Sequence, residues 1–406
     1  MQPDSATMQL SYSGEKGALF KLAFKTGLLT VVTLGIYRFW QKTRIRKYIW
    51  SSVSAGGDTF EYTGTGMEKF LGFLVAIVFL AVYLGILQMI LFYFGLNIMV
   101  DPETAGTEAV IGQVIAIYIS LFAVLPFILF AMYRARRYKM ARTRFRGIRL
   151  GMEKGAWGYV ARALGYGLLT VVTLGALMPL ATFKLEKYMS DRSFFGSTRL
   201  IQEGTWTKLY PAMKHLFIAL GLFIVCGILI AIGGMNEMVA LAVLGGIGIF
   251  VGYIWFLVGS VYYGVRSFGY LMSHKVLGGT VRFVSEPKTG FVIKTYIVGG
   301  LLLSLLASVA FGAVGVVAVP MIMLAEDGSV GGIVAFAIVM GLGYLVALVV
   351  TQALSLILIT QPILAHYIST IRVENPEALD RVHQRESETG VDADGFADAL
   401  DIGGAI

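Results

Sequence analysis

Six long windows without a charged residue stand out along the chain, at residues 70–99, 109–133, 215–236, 238–265, 295–325 and 330–365. About 20 predominantly apolar residues suffice to cross a hydrocarbon core about 30 Å thick, so each window predicts a transmembrane helix. The windows fall into three pairs. Each pair is joined by a polar link, VDPETAGTE (100–108), NE (236–237) or EDGS (326–329), that contains acids and no Lys or Arg. The opposite ends carry the basic residues, as in YRFWQKTRIRK (37–47) and YRARRYKMARTRFRGIR (133–149). The positive-inside rule therefore predicts that the basic ends and both termini are cytoplasmic and that the three links face away.

Two further apolar stretches do not fit the six. The phrase GLLTVVTLG occurs at 27–35 and again at 167–175, each time between cations: Lys16, Lys21 and Lys25 before Arg38 and Lys42, then Lys154 and Arg162 before Lys184 and Lys187. Crossing the bilayer would leave one basic flank outside, so both segments are expected to be re-entrant or interfacial helices. Two additional full spans are the rival reading.

The similarity extends beyond the phrase, because a shift of 140 residues places Tyr48 on Tyr188, Gly56 on Gly196, Gly64 on Gly204 and Thr65 on Thr205. That marks an internal duplication. A shift of 222 places Arg44, Tyr48 and Gly56 on Arg266, Tyr270 and Gly278, as they fell on Lys184, Tyr188 and Gly196. Cation and Tyr four residues apart share one helical face, and the Gly is expected to end the helix in a left-handed cap. Short stretches of β character occur at 9–14, 59–64, 144–150, 197–202, 280–285 and 369–374. They are expected to pair into a small sheet or hairpins at the membrane surface.

The predicted fold is thus an α-helical polytopic membrane protein with six transmembrane helices in three hairpins, two re-entrant or interfacial helical segments, short cytoplasmic β-strands and internal repeats. Its expected domains are a cytoplasmic module (1–66), hairpin 1 (67–143), a second module (144–207), hairpin 2 (208–265), a third partial module (266–290), hairpin 3 (291–366) and a cytoplasmic strand with an acidic tail (367–406).

Composition agrees with this class. The chain is 57% hydrophobic and 14% charged, with mean hydropathy +0.75, whereas soluble domains carry about a quarter charged residues. The polar beginning lacks the basic and apolar regions of a secretory leader, so insertion is expected to rely on the helices themselves. The lone Cys226 lies inside an apolar window, cannot form an intrachain disulfide and reads as a packing residue.

Chemistry-bearing patterns are sparse. His215, His274, His366 and His383 have no ligand partner at metal-binding spacing, so no metal, cofactor or catalytic residue is expected. Asp392-x-Asp394-Gly395 resembles the start of a calcium loop, but Gly403 stands where the twelfth-position Glu would be needed. No Asp, Glu, Lys or Arg lies centrally in any window, although proton and ion relays need such groups at membrane depth. Gln88, Asn97, Gln113, Thr351, Gln352 and Ser355 are expected to bond between helices, with the lining of a neutral path as the rival reading. Gly248 and Gly252, with Gly259 one heptad on, have the small-residue spacing of closely packed helices.

The sequence LLTVVTLGIYRFWQKTRIRKYIWSSVSAGGDTFEYTGTGMEKFLGFL (28–74), preceded by YSGEKGALFKL (12–22), resembles the YjgN-type bacterial inner-membrane proteins, a family known as a domain of unknown function. The motifs that carry the resemblance are aromatic-x-Gly, the Leu-Thr-x-x-Thr-Leu-Gly-Ile-Tyr phrase, the aromatic and basic helix, and Gly-Gly-Asp-x-Phe-x-Tyr-x-Gly. The final GFADALDIGGAI is also similar to tails in that family. The second copy departs by replacing Ile36-Tyr37-Arg38-Phe39-Trp40 with Ala176-Leu177-Met178-Pro179-Leu180. The resemblance implies a bacterial inner membrane and supplies no activity.

The strongest functional candidate is a cytoplasmic basic and aromatic belt. Arg38, Trp40, Lys42, Arg44, Arg46, Lys47 and Tyr48, then Arg134, Arg136 and Arg137, then Lys184 with Tyr188 and Arg266 with Tyr270, are expected to bind anionic lipid, since clustered cations beside a span attract it at about 1 kcal/mol each. A structural or lipid-interacting role is the leading expectation, a transporter or channel for a small or lipidic substrate the alternative. No enzyme activity and no nucleic-acid partner are expected; a second copy or another protein stays open as a partner.

Overall fold

The computed structural model describes residues 7–101, 106–326 and 330–386. Helical pairs and β-strands alternate along it in one repeating order. Strand β1 (Thr7–Tyr12) leads into helices α1 (Lys16–Val32) and α2 (Arg38–Ser51), followed by β2 (Val53–Ala55) and β3 (Asp58–Tyr62). Next come α3 (Gly66–Tyr93) and α4 (Thr107–Ala141), then β4 (Thr143–Phe145) and β5 (Ile148–Met152). Helices α5 (Ala156–Val172) and α6 (Met178–Ser190) precede β6 (Ser193–Phe195) and β7 (Thr198–Gln202). A 3-10 turn (Trp206–Met213) opens α7 (Lys214–Met235), which pairs with α8 (Val239–Ser273) ahead of β8 (Lys275–Leu277) and β9 (Val281–Ser285). The last pair is α9 (Thr289–Glu326) and α10 (Val330–Ser355), extended through a π turn (Leu356–Thr360) by α11 (Gln361–Ser369) into β10 (Ile371–Glu374).

Six helices among the described residues are long and apolar enough to cross a membrane, namely Gly66–Tyr93, Thr107–Ala141, Trp206–Met235, Val239–Ser273, Thr289–Pro320 and Val330–Ser369. They carry exposed large side chains along their length, such as Val75, Met89, Phe122, Val243 and Leu305, an apolar surface that belongs against lipid. Helices α1 and α5, 17 residues each, reach only about 26 Å at 1.5 Å per residue.

The strands overturn the expected fold. Instead of short surface strands in a small sheet or separate hairpins, the ten strands form one closed antiparallel barrel in the order β1-β10-β9-β8-β7-β6-β5-β4-β3-β2. The β-rich stretches read from sequence became β1, β3, β4 with β5, β7, β9 and β10. The strands that complete the order, β2, β6 and β8, have three residues each, too few for a period-two signal. The repeated glycine also has a different role. Gly56, Gly196 and Gly278 do not cap a helix. They sit between paired strands at φ 59°, 51° and 61°, where a tight hairpin turn needs left-handed backbone. Arg146 and Gly147, at φ 50° and 74°, occupy the corresponding turn between β4 and β5.

The chain divides into two compact units. In the first (Met1–Arg38, Ser51–Thr59 and Gln202–Arg381), β1 pairs with β2 and β10, as in Leu10↔Ala55 and Met8↔Val373, and β10 continues onto β9 through Arg372↔Val284. Helix α1 packs on α10, and α7 packs on α8. The α8 glycines face α7: Gly248 meets Cys226 Sγ, and a Cβ on Gly252 or Gly259 would come within 3.1 Å of Phe223 or His215. In the second unit (Phe39–Trp50, Phe60–Ile201 and Val382–Ile406), β3 pairs with β4 by Phe60↔Phe145, and β5 with β6 by Leu150↔Phe195.

The repeated phrase is a helix stop. After α1, the Gly35 N–H donates to Thr30 O at 2.7 Å and the Leu34 N–H to Val31 O at 3.0 Å, the paired bonds of a Schellman motif. Thr33 Oγ1 donates to Leu29 O at 2.7 Å and accepts the Tyr37 N–H at 2.9 Å, so one side chain closes α1 and opens the next turn. The second copy repeats this: Gly175 N–H to Thr170 O at 2.7 Å, Thr173 Oγ1 to Leu169 O at 2.7 Å, and the Leu177 N–H to Thr173 Oγ1 at 3.2 Å. Leu34 and Leu174 adopt φ 50° and 51°, a left-handed conformation that costs an L-residue roughly 1–2 kcal/mol.

Two opposite stability shifts follow. Gly35→Ala places a Cβ at φ 93° and is expected to destabilise by about 1–2 kcal/mol, whereas Leu34→Gly relieves strain and stabilises by roughly 1 kcal/mol. Thermal unfolding in detergent checks both, and a Gly35→Ala variant as stable as wild type would refute the stop.

Candidate functional site

Helix α2 is short and highly charged because it has two faces to satisfy. One is inserted into the second unit. Phe39 packs against Phe70 and Phe73 at ring-centroid distances of 5.6 and 5.0 Å, and Trp40 against Phe70 at 5.9 Å. Gly66 leaves the space that Trp40 fills, since a Cβ there would lie 2.6 Å from Trp40 Cγ. Arg46 is buried. Its Nη1 donates to the Tyr62 hydroxyl at 3.1 Å, and its guanidinium carbon lies 5.2 Å from the Tyr62 ring centre. The ammonium of Lys69, a fully buried residue, lies 5.4 Å from the same ring. The other face of α2 leaves Arg38, Arg44 and Lys47 exposed, with Lys42 and Tyr48 half-buried.

The basic end of α4 is drawn inward as well. Tyr138 donates its hydroxyl to Glu68 at 2.7 Å, and Arg142 pairs with the same carboxylate at 3.1 Å. Arg136 holds Glu186 of α6 through two bonds of 2.7 and 2.9 Å, the bidentate geometry that suits guanidinium to carboxylate. Arg137, buried, donates from Nε to Met152 O at 2.9 Å, and Arg134 lies over the Phe130 ring at 5.4 Å. Lys184 is exposed, but Tyr188 is buried with Tyr133 and Tyr159 in an aromatic cluster. The Arg162 and Arg192 guanidiniums lie 4.5 and 3.7 Å from the Tyr188 ring centre, and its hydroxyl donates to Gly155 O at 2.9 Å. Burial raises the Tyr159 phenol above its ordinary pKa.

The belt read from sequence therefore separates by burial. Arg46, Arg137, Tyr188, Arg136 and Trp40 serve internal contacts, whereas Arg38, Arg44, Lys47, Lys184 and Arg266 are exposed. In the first unit, Arg266 and Tyr270 stand four residues apart on α8 and both line a cavity of about 840 Å³. Lys208 and Lys288 line it too. Sequence reasoning missed these two, although Lys288 sits in EPKTG directly after a recognised β stretch. Of the polar residues of the spans, Gln88 bonds between helices as expected, donating from α3 to Ser120 Oγ of α4 at 2.9 Å, whereas Gln113 donates to Ile98 O at 2.9 Å, Thr351 to Ala347 O of its own helix at 2.8 Å, and Asn97 accepts the Met99 N–H at 3.0 Å. Among the described residues no group of three His, Cys, Asp or Glu is placed to hold a metal. The Asp392–Gly395 sequence lies outside the described residues.

Comparison with known proteins places these features in a family context. Residues 7–399 match the family described as "Bacterial protein of unknown function (DUF898)". The chain is 29% identical over 85 residues to the inner membrane protein YjgN of Salmonella typhimurium (strain LT2), covering 21% of this chain and 22% of that protein. It is 25% identical over 149 residues to the inner membrane protein YjgN of Escherichia coli O157:H7, covering 36% and 32%. The chain thus spans less than a third of the length of either relative. No solved structure matches it. The six apolar helices and these inner-membrane relatives together support multi-pass localisation in the inner membrane.

The Tyr62 ring is testable as the partner of two buried cations. Tyr62→Phe removes the oxygen that accepts from Arg46 and is expected to cost about 1–3 kcal/mol. Tyr62→Leu also removes the ring that faces Arg46 and Lys69 and is expected to cost more. Chemical or thermal unfolding of the purified variants orders them; equal losses would assign no role to the ring face.

Proposed function

The chain belongs to the DUF898 family, and on that premise we propose that it is a non-enzymatic inner-membrane protein that engages anionic lipid through cations on its cytoplasmic side. One observation carries this reading. After Phe39, Trp40 and Arg46 turn toward protein partners, α2 still presents Arg38, Arg44 and Lys47 outward beside Tyr48. Cations next to an amphipathic aromatic ring at the end of apolar spans suit an anionic headgroup layer, where each contributes about 1 kcal/mol. The transport alternative is less well supported, because Gln88, Gln113 and Thr351, the polar groups that could line a path, are engaged in bonds within the protein.

The cytoplasmic placement of the basic ends is part of the proposal. In a Cys226→Ser background, Asn236→Cys, between α7 and α8, should react with an impermeant thiol reagent from outside intact cells. Ser197→Cys, in the turn between β6 and β7, should react only after lysis. The reverse pattern would invert the topology.

Replacing Arg38, Arg44 and Lys47 with Gln is expected to remove about 3 kcal/mol of attraction to an anionic leaflet. The variant should insert and fold normally but copurify with less phosphatidylglycerol. Retention by the wild type should already fall at 1 M salt, where the Debye length is about 3 Å. Undiminished lipid in the folded variant would remove α2 from the lipid surface.

A further inference from the structure

We infer that the cavity in the first unit binds a phosphoryl group, carried either by a lipid headgroup or by a free phosphate ester. The inference deepens the lipid reading by giving the anion a built site, separate from α2. At about 840 Å³ the cavity is within the usual range for small-ligand sites. Its cations come from three segments: Lys208 from the 3-10 turn, Arg266 from α8 and Lys288 from the position just before α9. Glu286 is the one carboxylate on its wall, so these four side chains carry a net charge of two positives, three less one. Among the described residues none of the three cations is bonded to a carboxylate; Arg266 Nε faces the Tyr262 hydroxyl at 3.5 Å. Like charges that line one cavity repel less when an anion joins them, and the N-terminal end of a 38-residue helix adds positive potential beside them, with Thr289 on the same lining.

The walls are held in place without a ligand. Ser285 N–H donates to Ser273 Oγ at 2.9 Å, and that hydroxyl donates to Ser285 O at 3.2 Å, tying α8 to the end of β9. Gly269 permits the approach, because a Cβ there would lie 3.2 Å from Ser285 O and 3.1 Å from Pro287 Cδ. Tyr270 accepts the Thr205 N–H at 2.9 Å and donates to Thr205 O at 3.0 Å, fixing the segment that precedes the 3-10 turn. Lys288 N–H donates to His366 Nε2 at 2.9 Å, anchoring the start of α9 to α11. Buried Leu209, Ala212 and Val265 contribute apolar lining to the same cavity. A phosphoryl group with an apolar neighbour matches that division: charge against Lys208, Arg266 and Lys288, and hydrocarbon or a glycerol edge against the apolar lining.

The full chain in nanodiscs tests the assignment. Binding of phosphatidylglycerol is measured by native mass spectrometry against a phosphatidylcholine background, and glycerol 3-phosphate is titrated as the soluble probe. The Arg266→Gln, Lys288→Gln double variant is expected to lose at least about tenfold in affinity, as removal of charged partners at a site generally does, while Arg266→Lys, Lys288→Arg keeps most of it. Displacement of lipid by glycerol 3-phosphate at comparable concentration assigns a free ester; lipid binding that the ester does not compete away assigns a headgroup. If the double Gln variant does not fold, Lys208→Gln is measured instead and should lose several-fold. A folded cavity variant that binds both probes like wild type overturns the proposal. The α2 triple variant separates the two readings: undiminished lipid in that variant together with lost binding in the cavity variant leaves only the cavity assignment, and lost lipid in that variant with a cavity variant that binds both probes like wild type leaves only the α2 surface.

Discussion

A strand of three residues offers too few backbone groups to hold itself in a sheet, and an isolated two-stranded hairpin is marginal in water. Strands β2, β4, β6 and β8 are all of that length. They persist because each is bonded on both sides in an order that has no first or last member, so no row of unpaired N–H and C=O groups is left exposed. Closure explains why the chain can place hairpins between helical pairs without a larger sheet to support them. It also explains the glycines and the positive-φ Arg146 at the turns: with strands this short, a turn one residue longer or of the wrong hand would consume the pairing it is meant to start.

The same alternation accounts for helical pairs of two lengths. The pairs α3 with α4, α7 with α8, and α9 with α10 contain the six membrane-length helices. The pairs α1 with α2 and α5 with α6 are short, because GLLTVVTLG ends α1 and α5 with the same paired backbone bonds and the same threonine contacts. The duplicated phrase is thus a stop-and-restart instruction, and its apolar letters serve a helix that must end early. Small residues do related work in the long pairs, where Gly248, Gly252 and Gly259 let α8 lie against α7. Packing of that kind carries helix association where water cannot drive it.

Basic residues near membrane ends are usually read as topology signals, yet here many are structural. Arg46 and Lys69 share the Tyr62 ring, Arg136 and Glu186 join α4 to α6, and Arg162 and Arg192 enclose Tyr188. A buried cation left without a partner is costly, so aromatic faces, carbonyls and carboxylates are brought to it. Other cations, on α2 and around the cavity of the first unit, are exposed.

Much was legible in the sequence because it is local. The six long apolar windows specify helices of membrane length, since only an internally bonded backbone can cross hydrocarbon. The internal duplication was visible in the spacing of Tyr48, Tyr188 and Tyr270 and of the glycines that follow them. The YjgN-type resemblance was carried by the first 75 residues. What tertiary structure decided is everything that depends on which residues meet. No pattern in VSA, SFF or KVL announces a strand, and closure of the order is a property of all ten together. Arg44 and Arg46 look alike in sequence, but a helix turns them about 200° apart, and one faces outward while the other is buried against Tyr62. Lys208, Arg266 and Lys288 lie up to 80 residues apart and share a cavity because a 3-10 turn, the end of α8 and the start of α9 pack together. Side-chain type is written in the chain; its neighbours, and therefore its charge environment, are set only when distant segments pack.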